Sequence, residues 1–304
     1  MGSGAADPLL IAVMGQTASG KTALAEGLAE RFDAQLINAD AFQTYRGMDI
    51  GTAKPAARER YRLLDLKNPS ETYGVGEFCV RAAEVLDEVY AAGRSAIVVG
   101  GTGQYVRALF EEYRDLMPEP DPRLRESMTR RLREEGLPAL VEELRQRDPE
   151  MAARTELQNP VRVTRALERL TDKRPPLVFR NPYVRRIKVS TVIQKDDGEA
   201  RIALRTASMM HNGWVEEVRG LLADGYGPGD PGFRAIGYRT IAAVLDGDLA
   251  TEEAERAIVQ ETISYAKRQR TWLRSEPGLH IFVPGSTSGL QEAYETIRDE
   301  SLEI

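Results

Sequence analysis

A glycine-rich loop between an apolar run and a helical pattern constrains this chain of 304 residues more than any other feature. The apolar run is Leu9–Met14, and Leu24, Leu28 and Phe32 follow the loop at helical spacing. The loop itself reads Gly15, Gln16, Thr17, Ala18, Ser19, Gly20, Lys21 and Thr22. A strand that passes through such a loop into a helix turns several backbone N–H groups towards one point, where the helix N-terminus adds partial positive charge. The sequence therefore predicts a P-loop that binds a diphosphate or triphosphate.

Two side chains of this loop have specific predicted roles. Lys21 is expected to contact the terminal phosphates, and the hydroxyl of Thr22 is placed to ligate a Mg²⁺ ion that bridges them. The remaining loop residues, from Gly15 to Gly20, are expected to bind the diphosphate through their backbone. A P-loop does not identify a reaction, because nucleotide kinases and NTPases share it.

Strands and helices alternate in the first hundred residues. Residues 34–37 and 95–99 are predicted as strands, with a helix at 75–92 between them, and the second strand runs into a glycine-rich turn at 100–103. Such alternation indicates a parallel sheet, whose ligands lie beyond the carboxyl ends of the strands. We therefore predict an α/β fold with a P-loop NTPase-like core, in which both glycine-rich turns lie at the same rim.

The middle of the chain departs from this pattern. Three prolines within 117–122 precede a mainly helical stretch from Arg123 to about Leu170, and a loop at 172–182 leads to a strand predicted at 186–193. We predict a first core part at 8–115, a mostly helical insertion at 116–185 that covers the active site, and a second core part at 186–304. The last part is predicted to hold helices at 201–224, 233–245 and 252–274 and a strand at 280–283.

Composition and charge argue against a disordered or fibrous protein, a membrane-spanning protein and a general nucleic-acid coat. The chain is 42% apolar and 29% charged, and no apolar run approaches the roughly 18 residues of a membrane span. The single cysteine, Cys79, suits a reducing compartment, so we expect a cytoplasmic protein. A net charge of −6 argues against uniform binding of nucleic acid. Residues 173–195 and 264–274 nevertheless contain basic residues and no acidic ones, although such stretches are usually solvated faces.

Asp40 is the first acidic residue after the second predicted strand, three residues beyond its end. Its position leaves three roles open: metal ligand, general base, or turn former.

The segment 38–55 resembles the signature that follows the P-loop in tRNA dimethylallyltransferases of the bacterial type. It reads NADAFQTYRGMDIGTAKP. Further stretches similar to this family occur in the same order at 99–105, 121–125, 162–168, 205–213, 235–238 and 265–272. The resemblance runs from Leu10 to Trp272, nearly the whole chain.

This resemblance implies a reaction and assigns residues to it. The exocyclic amine of the adenosine 3′ of the anticodon attacks dimethylallyl diphosphate, and diphosphate leaves. Asp40 matches the catalytic base, and Thr102 and Arg205 match positions near the reacting groups. The P-loop and Mg²⁺ on Thr22 would hold the diphosphate. A monomer is the default expectation.

The resemblance also implies contacts with the anticodon stem-loop of tRNA. They fall at Asp40, Ala41, Phe42, Gln43, Arg125, Arg162, Val163, Thr164, Arg165, Arg234, Gly237, Tyr238 and Arg239. Gln43 can offer both a donor and an acceptor to a flipped adenine. Phe42, Tyr45 and Tyr105 are available to line a prenyl pocket, although such aromatic residues are more often plain core.

Three alternatives stay open. An adenylate-type isopentenyltransferase would lack the insertion and the run at 265–269, whereas a P-loop small-molecule kinase would turn over ATP. A non-catalytic tRNA-binding relative is suggested by Ala41, Ala207 and Ile263, where the family usually has a serine, an acid and an arginine.

Overall fold

The chain forms two compact units in this computed structural model, which describes residues 7–111, 116, 121–191, 195–282 and 287–303. The larger unit comprises Met1–Glu112 and Arg180–Ile304, and the smaller one comprises Tyr113–Phe179. Residues 180–185, which we predicted to lie in the insertion, belong to the larger unit. Their polar side chains explain this, because Asn181 donates to the carbonyl of Leu109 (3.4 Å) and the Tyr183 hydroxyl donates to that of Arg94 (2.7 Å).

A six-stranded sheet forms the centre of the larger unit, and all of its paired strands are parallel, as predicted. Its strands are β1 (Leu10–Gly15), β2 (Gln35–Asn38), β3 (Tyr61–Arg62), β4 (Ala96–Gly100), β5 (Arg186–Thr191) and β6 (Leu279–Phe282). Their order across the sheet is β3-β2-β4-β1-β5-β6. Every residue of β1 and β4 is buried, which explains why both read as unbroken apolar runs rather than alternating ones.

Helices surround this sheet and make up most of the smaller unit. In chain order they are α1 (Lys21–Phe32), α2 (Val75–Ala91), α3 (Gly103–Phe110), α4 (Pro122–Glu134), α5 (Gly136–Arg147), α6 (Pro149–Arg154), α7 (Pro160–Thr171), α8 (Lys195–His211), α9 (Trp214–Ala223), α10 (Tyr238–Leu245), α11 (Thr251–Arg274) and α12 (Thr287–Glu303). None of the described helices has the length and apolar character needed to cross a bilayer.

The smaller unit has its own apolar core and its own start signals. Its core includes Met128, Leu140, Leu144, Val163 and Leu167. Helices α4, α6 and α7 each begin with proline after an Asp or Asn whose side chain accepts a backbone N–H of the first turn. These caps satisfy amides that have no partner within the helix, so the local sequence itself defines where the helices begin.

Some predicted elements differ from the structure. The helix predicted at 201–224 is divided at Gly213, which has φ +98°, and α10 begins only after Gly237, with φ +92°. These left-handed conformations suit glycine and interrupt a helix. The two-residue strand β3 and helix α12 were not predicted. The ends of the strands predicted at 186–193 and 280–283 lie outside the described residues.

Candidate active site

A cavity of about 560 Å³ lies beyond the carboxyl ends of β1 and β2, between their loops and helices α8 and α11. Several residues predicted to bind or react line it: Thr17, Lys21, Thr22, Asp40, Phe42, Gln43, Arg205 and Arg234. Segments that are distant in sequence therefore meet at one place, as expected for the rim of a parallel sheet. The roles of these residues stay predictions.

The P-loop has the compact backbone that its glycines allow. Ala18 and Gly20 have positive φ, +61° and +81°. A Cβ atom at Gly15 would lie 2.4 Å from the Ser19 hydroxyl, which shares a 2.6 Å hydrogen bond with the hydroxyl of Thr191 on β5. The loop is thus attached to the neighbouring strand as well as to its own.

Asp40 acts on the charge of two cations that line the cavity, Lys21 and Arg205. Burial lowers the pKa of Lys21 from 10.5 to about 8; nearby Asp40 opposes this shift and Arg205 adds to it. Burial also lowers the pKa of Arg205, again against the influence of Asp40. Both shifts show that positive charge is costly here without an anion, so a diphosphate would stabilise the charged forms.

Asp40 is held by hydrogen bonds on both its backbone and its side chain. Its N–H donates to Asn38 Oδ1 (3.0 Å), and Asn38 Nδ2 donates to its carbonyl (3.1 Å). Its Oδ1 accepts from the N–H of Phe42 at 3.0 Å. Asp40 therefore does form a turn, yet this contact uses only one carboxylate oxygen, and the side chain still lines the cavity.

A second cavity of about 260 Å³ adjoins the second glycine-rich turn and holds Thr102. The Thr102 oxygen accepts a hydrogen bond from the N–H of Ala41 at 3.1 Å, so its own proton is available to another acceptor. Tyr265, Arg268 and Gln269 line both cavities.

Gln269 is a site residue whose contacts the sequence did not predict. Its Oε1 accepts from the P-loop N–H of Thr17 (2.9 Å), and its Nε2 donates to the carbonyl of Gly101 (3.0 Å). It thereby connects the P-loop with the turn that carries Thr102. A glutamine among basic neighbours on one helix gave no signal of these distant partners.

Lys54 stabilises a loop of the site, a role that the sequence did not predict. Its side chain is 0% exposed, and its ammonium group donates to the carbonyl of Tyr45 (2.6 Å), to Asp49 (2.8 Å) and to Asp65. The charge is therefore fully paired, and it stabilises the loop at 49–55 whose last five residues line the main cavity.

Gln43 differs from our expectation. Its Nε2 donates to the carbonyls of Thr52 (3.0 Å) and Ala53 (3.1 Å). Because backbone carbonyls only accept, the atom facing them must be the amide nitrogen, and both of its protons are used. The prediction that Gln43 offers a donor as well as an acceptor is wrong for this conformation, in which only Oε1 is left to offer.

Three residues predicted to bind tRNA are instead buried. Val163 is 0% exposed in the core of the smaller unit, and Tyr238 is 0% exposed in the larger one. The Tyr238 hydroxyl donates to Glu217 (2.7 Å). A Cβ at Gly237 would lie 2.2 Å from Trp214, so close packing accounts for this glycine. These residues support the fold and present no surface to a nucleic acid here.

The predicted arginine contacts are mostly exposed, but those of the smaller unit have acidic partners. Arg125 and Arg165 approach the buried carboxylate of Glu168, at 3.9 and 3.4 Å, and Arg162 pairs with Glu156 at 3.2 Å. In the larger unit, Arg234 and Arg239 are exposed, and Ala41 is partly exposed. Thr164 donates to the carbonyl of Pro160 (3.0 Å) within α7.

The aromatic candidates divide as their residue type suggests. Tyr45 and Tyr105 are each 4% exposed and belong to the core, whereas Phe42 is partly exposed and lines the main cavity. The expectation that such residues are usually core is confirmed for the two tyrosines.

Comparisons with known proteins agree on one family. Residues 43–276 match the family model described as IPP transferase. The chain is 38% identical over 278 residues to "tRNA dimethylallyltransferase 2" of Geotalea uraniireducens, covering 88% of this chain and 89% of the relative. It is 41% identical over 292 residues to the tRNA dimethylallyltransferase of Thermus thermophilus, covering 94% and 95%.

Solved structures show the same fold. The full-length tRNA isopentenylpyrophosphate transferase of Bacillus halodurans is similar with a TM-score of 0.72 and 32% identity, and the match covers 97% of each chain. A eukaryotic dimethylallyltransferase acting on tRNA gives a TM-score of 0.79 over 97% of this chain and 80% of that one. Its identity is 20%, so this likeness concerns the fold alone.

Proposed function

We propose, from the premise that this chain belongs to the IPP transferase family, that it transfers a dimethylallyl group from dimethylallyl diphosphate to tRNA. The acceptor is the exocyclic amine of the adenosine 3′ of the anticodon. The observation that carries this proposal is the meeting of Lys21, Thr22, Asp40 and Arg205 in one cavity. That set combines an anion-binding half with a proton-accepting half, as the reaction requires.

The anion-binding half would hold the diphosphate. P-loop amides, the N-terminus of α1 and the cations of Lys21 and Arg205 would face the diphosphate oxygen on which negative charge grows as the allylic C–O bond breaks. Preorganised cations in a poorly hydrated site stabilise such a leaving group more strongly than water does. The same groups bind the donor and assist the departure of diphosphate.

The residues present fit a Mg²⁺ ion that is shared with the substrate. Among the described residues, no group of three or more His, Cys, Asp or Glu side chains is arranged to hold a metal. In P-loop proteins a hydroxyl oxygen of the loop's Ser or Thr binds Mg²⁺ together with phosphate oxygens and water. The Thr22 hydroxyl in the cavity is such an oxygen. When bound, the ion would supply further neutralisation of the diphosphate charge.

Asp40 would accept the proton of the attacking amine. The lone pair of an adenine amine is delocalised into the ring, so the amine is a weak nucleophile that must lose a proton as the C–N bond forms. The hydrogen bond from the Phe42 N–H orients the carboxylate through Oδ1. The other oxygen remains to take the proton. The Thr102 hydroxyl can donate a hydrogen bond to a nearby anionic oxygen.

The wall of the cavity would protect the prenyl group from water. Apolar or mostly apolar side chains line it: Ile202, Met209, Trp214, Ile236 and Ile258. An allylic centre with cationic character reacts with water when water is present. This wall therefore favours transfer to the amine over hydrolysis.

Labelled dimethylallyl diphosphate tests the proposal directly. We expect the label to appear in an unmodified anticodon stem-loop with adenosine 3′ of the anticodon, and to be absent when guanosine replaces it. Label on adenosine monophosphate would indicate the adenylate-type reaction instead. ATP turnover coupled to phosphorylation of a small acceptor would indicate a kinase. Stem-loop binding without any transfer would indicate a non-catalytic relative.

A further inference from the structure

We infer that Glu217 is a positioning residue that holds Gln43 as a pure hydrogen-bond acceptor in the cavity, and thereby favours a purine with a 6-amino group. This inference rests on the proposed function, because it concerns the base that the prenyl group is transferred to.

Glu217 lies on α9 and its carboxylate is unusually well hydrogen-bonded. Oε2 accepts from the N–H groups of Asp49 (2.7 Å) and Ile50 (2.6 Å), and Oε1 accepts from that of Gly51 (3.3 Å). Oε1 also accepts from the Tyr238 hydroxyl at 2.7 Å. Hydrogen bonds to an ionised acceptor are stronger than neutral ones, so three successive amides are anchored to one side chain.

Close packing at Gly51 and the backbone conformation of Ala53 further restrict the loop that Glu217 anchors, residues 49–53. The backbone of Gly51 lies against the Trp214 ring, where a Cβ would be 2.2 Å from Nε1. Ala53 has φ +51°, a conformation that costs free energy for a residue with a side chain. A loop with this strain keeps its shape only if neighbouring contacts hold it, and the Glu217 carboxylate supplies three of them.

The anchored loop determines what Gln43 can do. The carbonyls of Thr52 and Ala53 follow Gly51 directly, and both accept from Gln43 Nε2. With both amide protons used, Gln43 can offer only Oε1 within the cavity that it lines. The 6-amino group of adenine donates to such an acceptor, whereas the 6-oxo group of inosine or guanosine presents a second acceptor and is disfavoured.

Glu217→Gln is the decisive variant, because a neutral amide of the same shape has one acceptor atom instead of two and cannot accept from the three N–H groups and the Tyr238 hydroxyl together. We expect kcat/KM for the stem-loop to fall by about 10–100-fold, the scale of a small misplacement of a positioned group. Donor affinity should stay within about twofold, since none of the four groups that donate to Glu217 belongs to the P-loop that holds the diphosphate. Hydrogen exchange of the amides at 49–53 should accelerate.

Base discrimination separates positioning from mere structural support. We compare binding of stem-loops that carry adenosine or inosine at the target position. The wild-type protein should prefer adenosine by about tenfold, roughly one hydrogen bond's worth, and both Glu217→Gln and Gln43→Ala should reduce that preference. The double variant should be no worse in discrimination than Gln43→Ala alone, because Glu217 acts through Gln43. The exposed neighbour variant Glu216→Gln is the matched control, with unchanged activity and exchange.

Three outcomes would overturn the inference. One is unchanged exchange and discrimination in Glu217→Gln. The second is a loss of donor affinity equal to the loss of stem-loop turnover, which indicates general unfolding. The third is a further loss of discrimination in the double variant. Should the wild-type protein transfer no prenyl group while these binding and exchange effects appear, the proposed reaction fails but the role of Glu217 stands.

Discussion

Asp40 combines a structural contact with its proposed chemistry, and one substitution separates the two. Asparagine at this position keeps an oxygen that can accept from the Phe42 N–H, but it cannot take a proton at neutral pH. We expect Asp40→Asn to lower kcat by about 10²–10⁴-fold, the usual contribution of a general base, with donor affinity and thermal stability close to wild type. Single-turnover rates and a melting curve measure this. A kcat within a few-fold of wild type would show that Asp40 is only a turn former.

Lys21 predicts how donor binding depends on pH. Its pKa in the free protein is lowered to about 8, first by burial and then by Arg205. A diphosphate binds the protonated form, so donor affinity should be full below about pH 8 and should fall as pH rises through that value. Binding of the anion raises the lysine pKa, so proton uptake should accompany binding near pH 8.

Calorimetry in buffers of different ionisation enthalpy measures both the affinity and the proton uptake. Lys21→Arg is the control, because a guanidinium stays charged across this range and the pH dependence between about 7 and 9 should disappear. A wild-type affinity that is flat from about pH 7 to about pH 9 would contradict the lowered pKa.

The lowered pKa of Lys21 also affects folding, but here the free energy of unfolding rises with pH whereas donor affinity falls. Between about pH 8 and the ordinary value of 10.5, the unfolded chain holds a proton on Lys21 that the folded protein has released. The contribution of this residue to the free energy of unfolding therefore rises with pH through that interval, and it is unfavourable below it. At neutral pH the buried charge of Lys21 therefore weakens the free protein, and a bound diphosphate would offset this cost.

Among the elements, α11 connects the P-loop with the second glycine-rich turn through Gln269. Gln269→Ala removes the partner of the Thr17 N–H and that of the Gly101 carbonyl, and leaves both groups partly buried without it. We expect a loss of about 1–3 kcal/mol in the free energy of unfolding, together with weaker donor binding because the P-loop loses its hydrogen bond to α11. Thr271→Ala, on the exposed face of the same helix, is the control. Denaturant unfolding and donor titration give the two readouts; equal donor affinities for the two variants would refute the connection.

The secondary structure could be predicted from the sequence more fully than the contacts between distant elements. The P-loop, the parallel strands and most helices follow from local patterns, because glycine spacing, apolar runs and helical periodicity are local properties. The partners of Gln269 are 252 and 168 positions away, and the backbone N–H groups that donate to Glu217 are 166 to 168 positions away, so no local pattern reveals them. Tyr238 and Gly237 were misplaced for the same reason: only packing against Trp214 and Glu217 shows that they are buried.

At the scale of the whole molecule, an acidic protein has to bind a polyanion. Net charge is −6, yet exposed arginines occur in both units, including Arg162 in the smaller and Arg234 in the larger. Local contacts of this kind predict binding that is salt-sensitive but limited to folded stem-loops. If net charge controlled binding instead, the protein would bind all polyanions poorly.

Arg162→Ala and Arg234→Ala test whether each unit contributes a phosphate contact. Arg162 forms a surface ion pair with the exposed Glu156, so its removal should not disturb the fold. Arg165 is less suitable, because it approaches the buried Glu168 and its removal could lower tRNA affinity through a loss of stability. Each phosphate neutralised adds about −0.7 to −0.9 to the slope of log affinity against log salt. We therefore expect each variant to make the slope shallower by about one such step, for adenosine and guanosine stem-loops alike. A phosphate contact carries no base information, so a loss of affinity that differs between the two stem-loops would assign the arginine to base recognition. An unchanged salt slope for Arg162→Ala would show that Arg162 of the smaller unit makes no phosphate contact.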